Sequence, residues 1–167
     1  MKITKKIIAT VFILLYCNIS FSQVSKKDLK LILGNWQGSL TYLDYTSGKS
    51  YTMPANLEVI QNAKTDTFYF KNIYPNEPVA NGIDTVIASE KEAVFNKEKV
   101  VSRKKIDGNI LEIITEKDGI DGNENKKATL RHTYQISAVL YSVRKDVQFS
   151  GSSVWIKRHE YTYKRNP

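Results

Sequence analysis

The chain has 167 residues, 25 of them lysine or arginine against 17 aspartate or glutamate, giving a formal net charge of +8, and it carries a single cysteine. That length provides one core rather than two, and a hydrophobic content of 41% excludes a disordered chain. One cysteine excludes an intramolecular disulfide framework, so stability must come from packing.

The first segment is an address. Lys2, Lys5 and Lys6 precede the apolar run Ile7 to Tyr16, and Ser20-Phe21-Ser22 sets small residues around a cleavage point. This is the pattern of a secretory signal over residues 1–22. Its run of about 10 apolar residues falls short of the ~20 that a spanning helix requires, and no other stretch comes closer. Residues 23–167 are therefore expected to form one exported domain, periplasmic or secreted and not membrane-spanning. Cys17 follows bulky Leu14-Leu15-Tyr16, where a lipid-bearing cysteine follows small residues, which argues against a lipid anchor. Removing the three leader lysines lowers the 25 basic residues to 22 against 17 acidic ones, net +5. The excess is scattered over Arg103-Lys104-Lys105, Lys126-Lys127, Lys157-Arg158 and Lys164-Arg165, as on a solvated exterior. Export disfavours nucleic acid as a partner. An anionic envelope glycan or a protein partner is the reading that uses the positive charge.

After the leader, Leu29, Ile32 and Leu33 recur at helical spacing, with Ser25 placed to cap, predicting one short helix within Ser25 to Leu33. From Trp36 onward the hydrophobic period is two, broken at roughly ten-residue intervals by turn residues, which predicts a sandwich or barrel. Strands are expected near 35–45, 50–61, 66–73, 83–88, 92–95, 98–106, 109–116, 127–136, 138–149 and 153–164. Ser47-Gly48 separates the first two, and Asp107-Gly108 is suited to a two-residue hairpin. Pro75, Pro78 and Asn81-Gly82 make Tyr74 to Gly82 a longer loop.

Alternation assigns the faces, because successive strand residues point to opposite sides. Trp36, Leu40 and Tyr42 are expected inside, as are Leu57 and Val59, and Phe68 and Phe70. Leu111, Ile113 and Thr115 face inward, with Ala128, Leu130, His132, Tyr134 and Ile136, and with Val139, Tyr141, Val143 and Val147. The last strand is ambiguous: Trp155, His159, Tyr161 and Tyr163 share a face with Lys157, while Val154 and Ile156 share theirs with Arg158 and Glu160. If the aromatic face is inside, Tyr42, Phe70, His132, Tyr134, Tyr141, His159 and Tyr161 line an interior that is apolar with hydrogen-bonding tips, as ligand sites are. The competing reading has the same tyrosines filling a closed core.

Leu33-Gly34-Asn35-Trp36-Gln37-Gly38, a Gly-x-Trp at the mouth of an all-β chain after a helical lead-in, resembles the opening of the lipocalins and the wider calycin superfamily. The basic last strand Trp155-Ile156-Lys157-Arg158 extends the resemblance over most of residues 26–164. It implies an all-β fold, a single antiparallel up-and-down β-barrel of about 8–10 strands with a short N-terminal helix. It also implies a barrel end sealed by Gly34 and Trp36 under a basic side chain of the last strand, for which Arg158 is the candidate and Lys157 the second. The implied function is binding a small amphipathic molecule or lipid. The same opening is similar to nitrobindin-like haem barrels, whose iron ligand is a histidine near the end of the chain, a position held here by His159.

Other chemistries find little support in the residues. Asp121-Gly122-Asn123-Glu124-Asn125 copies part of a calcium loop, but Lys126 and His132 stand where its glycine and bidentate glutamate belong. It is better read as a hairpin loop. Two histidines and no mature cysteine call for no metal, and no Gly-x-Ser-x-Gly, His-Glu-x-x-His or phosphate-cradling loop is present. No enzyme and no cofactor is expected. The two functions in view are a carrier or sensor with an internal ligand, and a closed-barrel envelope interaction module with a basic outer surface.

Overall fold

The computed structural model describes residues 24–62, 64–65, 67–87 and 94–165. The leader, Cys17, and the expected strand ends at 66, 88, 92 and 93 lie outside these residues.

The helix α1 (Lys26–Lys30) is fixed by a capping box, in which the Ser25 hydroxyl accepts the Asp28 N–H and the Asp28 carboxylate accepts the Ser25 N–H. It is shorter than the pattern predicts because Gly34, at φ +104°, redirects the chain into the first strand. Leu29 and Ile32 are buried in the main core, so α1 and its following turn plug one barrel end. Arg103 tethers the plug through Asp28, Nη2 to Oδ1 at 2.8 Å.

Eleven strands follow among the described residues: β1 (Gly34–Leu43), β2 (Ser50–Pro54), β3 (Asn56–Gln61), β4 (Thr67–Ile73), β5 (Gly82–Ile87), β6 (Val94–Phe95), β7 (Glu98–Ile106), β8 (Ile110–Asp121), β9 (Lys126–Ile136), β10 (Leu140–Phe149) and β11 (Ile156–Lys164). All pairings are antiparallel, in the order β5-β4-β3-β1-β11-β10-β9-β8-β7-β6, with β2 added on β1. Among the described residues the outermost strands β5 and β6 do not pair, so the result is an all-β, antiparallel up-and-down barrel that is nearly closed, with one seam. Among the described residues no helix is long and apolar enough to cross a membrane.

Four departures from the pattern have local causes. The expected strand 50–61 is two strands, because β2 pairs with Ser39–Leu43 of β1 and β3 with Gly34–Trp36, and the chain bends between them at Pro54-Ala55. Opposite that bend sits Gly38, where an added Cβ would lie 2.1 Å from the Thr162 carbonyl oxygen; only glycine lets β11 approach there. The Asp107-Gly108 hairpin spans three residues, since Ile106 pairs with Ile110. Strand β8 continues past 116 to Asp121, because its outer half keeps full register with β9 to the Asp121–Lys126 pair. Val139 is not inside; at 67% exposure it sits in the β9–β10 turn.

A register shift resolves the last strand. Lys145 faces His159 but Asp146 faces Lys157, leaving Arg158 as the extra residue of a bulge. Tyr163, Tyr161 and His159 therefore point inward, and so does Arg158, while Lys157 is exposed. Both faces of the ambiguous pattern are inner faces, on either side of the bulge.

Candidate functional site

A cavity of about 540 Å³ opens between the plugged end and the seam. Its walls come from both lips of the gap, Ile83 to Val86 of β5 and Phe95 of β6 with Asn96 and Lys97 of the turn after it, and from the inner faces of β9, β10 and β11 opposite. The tight turn at Asn96 and Lys97, both at positive φ, draws β6 back on β7.

Of the seven residues expected to line an interior site, Phe70, His132, Tyr134, Tyr141, His159 and Tyr161 lie on this cavity. Tyr42 does not; it lines a second cavity at the far end of β1, and His159 is on the wall of both. Tyr161 and Tyr163 stack at 5.9 Å, as do Tyr141 and Tyr163, and Phe95 meets Tyr134 edge to face at 4.8 Å. The Tyr161 hydroxyl is hydrogen-bonded to that of Tyr74 at 2.9 Å. Burial pushes the Tyr134, Tyr141, Tyr161 and Tyr163 phenols well above their usual range, so they are uncharged donors at neutral pH. Ala128 lies elsewhere, in a small separate cluster with Leu130 and Val147.

The polar side of the cavity rests on a residue the sequence pattern did not single out. Glu98, 2% exposed, accepts the Thr115 hydroxyl at 2.5 Å, meets His132 Nδ1 at 2.8 Å and pairs with Lys117 Nζ at 2.9 Å. The available signal was the alternation of Glu98 with Val100, both buried before the bulge that follows in β7.

Burial would raise the Glu98 carboxyl, but the hydrogen bonds from His132 and Thr115 outweigh it and hold the group at about 2, below its ordinary 4.5. A depressed carboxyl stabilises the fold fully above its unfolded value and loses that contribution as pH falls through the folded one. For Glu98 the window runs from about 4.5 down to about 2. Burial, then the charges of Lys145 and His132, pushes His159 down from 6.5 to about 4, so it is a neutral imidazole whose enforced protonation destabilises the fold across that higher window. Thermal unfolding is therefore expected to weaken in two stages on acidification, with His159→Phe removing the first. An unchanged midpoint between about pH 6.5 and 4.5 would contradict the His159 assignment. Glu98→Gln, which strands the groups facing it, is expected to cost about 3 kcal/mol at neutral pH in denaturant unfolding.

The barrel-end seal has a different cation. Trp36 is fully buried, its indole N–H donates to the Ile32 carbonyl at 2.7 Å, and the guanidinium over its ring is that of Arg165, at 4.4 Å. Arg158, the expected cover, is at the opposite end of β11, against Tyr45 at 3.9 Å. Antiparallel pairing explains this: Gln37 faces Lys164 whereas Tyr42 faces His159, so only the end of β11 reaches Trp36. Lys157 pairs instead with Glu160 on the surface.

No protein-family model matches the chain, and no curated protein matches it. Among solved structures the fold is similar to that of Rv2717c from M. tuberculosis, with a TM-score of 0.51 at 12% identity, covering 87% of this chain and 99% of that one. A weaker likeness, TM-score 0.40 at 12% identity over 86% of this chain and 50% of the other, is to a protein of unknown function from the DUF3598 family of Nostoc punctiforme. At these identities the likeness concerns the fold alone.

Proposed function

We propose that this chain is an exported, lipocalin-like binding protein that holds one small amphipathic molecule inside its barrel. The observation that carries this reading is the cavity itself, about 540 Å³ and bordered by the unpaired seam. Aromatic faces supply apolar surface, and tyrosine hydroxyls with the His132 ring supply a few placed polar groups, the composition of a small-molecule site. Titration with the neutral fluorescent probe N-phenylnaphthylamine is expected to saturate at one probe per chain. Absence of any saturable signal would contradict the reading.

The interaction-module alternative requires a filled barrel and free surface cations. The cavity argues against the first. Against the second, Arg103 pairs with Asp28, Lys104 with Glu112, Arg131 with Glu116 and Lys71 with Glu58.

A second reading of the interior is favoured by His159, a neutral imidazole on the cavity wall whose ring makes no hydrogen bond among the described residues. Such a group fits as the protein ligand of a haem iron. On this reading haem would occupy the cavity against the tyrosine wall, and His159 would hold it. Haemin titration would then give a Soret band that His159→Ala loses, whereas an identical spectrum in wild type and variant would rule the reading out.

A further inference from the structure

The second cavity, about 430 Å³, lies at the end of the barrel away from Trp36, between the β1–β2 turn and the β8–β9 hairpin. On its wall is Arg158, only 8% exposed and turned inward by the bulge. Its guanidinium lies against the Tyr45 ring at 3.9 Å, with Phe149 at 5.5 Å. Yet its Nε is buried without a hydrogen-bond partner, and no acceptor among the described residues serves its other donors. The nearest carboxylate, Asp121, is 3.9 Å away and already engaged. Its Oδ1 accepts the Tyr45 hydroxyl and the Gly122 N–H, and its Oδ2 forms an ion pair with Lys145 Nζ at 2.8 Å, close in distance though off line for a hydrogen bond. The other acid on this wall, Asp44, spends an oxygen on the N–H groups of Thr46 and Ser47 within its own turn. A guanidinium carries five donors in a fork that matches carboxylate or phosphate oxygens, and leaving it buried with one long ion pair and no hydrogen bond is costly.

We propose that this cavity receives one anionic oxygen group, a carboxylate or a phosphate, seated on the Arg158 guanidinium with Lys145 beside it. The anion has two sources. It is either a free small ion or the head group of the amphipathic ligand in the main cavity, because His159 stands on the wall of both cavities. The head-group arm rests on the binding function proposed above; the free-ion arm does not.

The test is a titration of the wild-type exported domain followed at the Arg158 Nε–H signal in proton–nitrogen spectra, at constant ionic strength, with inorganic phosphate, dodecanoate and dodecanol as separate probes. A saturable shift with phosphate at up to about millimolar affinity supports a site for free anions. A shift with dodecanoate together with an affinity about tenfold above that of dodecanol assigns the head group. Arg158→Gln should lose either preference while Arg158→Lys keeps part of it. If neither anion moves the Arg158 signal beyond what chloride does, the proposal is overturned. N-phenylnaphthylamine, which carries no anion, reports the main cavity separately, so failure of this site and failure of the binding function are told apart.

Discussion

Val143→Trp is expected to weaken binding in the barrel about a hundredfold while leaving the fold intact. Val143 is half-buried on β10 and lines the main cavity, with Tyr134 beside it on β9 and Tyr161 beside it on β11. An indole at this position projects into open space rather than into packed side chains, so the cost of overpacking should stay near or below about 1 kcal/mol, at the small end of such substitutions. The same indole takes the volume that a ligand would use against the tyrosine wall. Affinity for N-phenylnaphthylamine should fall about a hundredfold, near 3 kcal/mol. Undiminished affinity in a folded variant would move the ligand out of this cavity.

The second large effect is on stability. Trp36→Ala removes a fully buried indole, its hydrogen bond to Ile32, and the surface on which Arg165 lies. Arg165 also donates to the Leu31 carbonyl at 3.0 Å and the Ala138 carbonyl at 2.9 Å, so the side chain stitches the helical plug and the β9–β10 turn to the end of β11. Large-to-small changes of this kind cost about 4 kcal/mol, which for a domain of this size lowers Tm on the order of 10 °C. Arg165→Ala should cost much less, about 1 kcal/mol, because a partly exposed cation over a ring contributes at that scale. A loss below about 1 kcal/mol for Trp36→Ala would contradict the sealed end.

Much of this barrel was legible in its period-two pattern. Leu111, Ile113 and Thr115 on β8, and Leu130, Tyr134 and Ile136 on β9, are inside where alternation puts them, because both strands run unbroken in full register. Alternation failed where the backbone departs from it. The bulge at Arg158 put two successive residues on the inner face, and no side chain in Trp155 to Lys164 announces that extra residue. Pairing partners were equally hidden. Which basic residue at the end of the chain covers Trp36 depends on the β1–β11 register, which brings Arg165, just past β11, to it, and the family resemblance pointed to a strand rather than to a position. Glu98 was overlooked because a charge between Lys97 and Lys99 reads as surface; its burial depends on His132, Thr115 and Lys117, far off in sequence but adjacent across β8 and β9. The seam was beyond the pattern altogether, since strand count and alternation do not say whether the outermost strands pair.

The claim that the barrel carries a molecule inside it is tested most directly by native mass spectrometry of the protein, purified from the cells that make it and never refolded. The expected spectrum contains the polypeptide with one stoichiometric extra mass. Its value separates haem from a lipid or other amphipath, and Val143→Trp should reduce it to the bare chain. A wild-type protein that appears only at its polypeptide mass, and that also fails to take up N-phenylnaphthylamine or haemin in solution, would contradict the internal-ligand function.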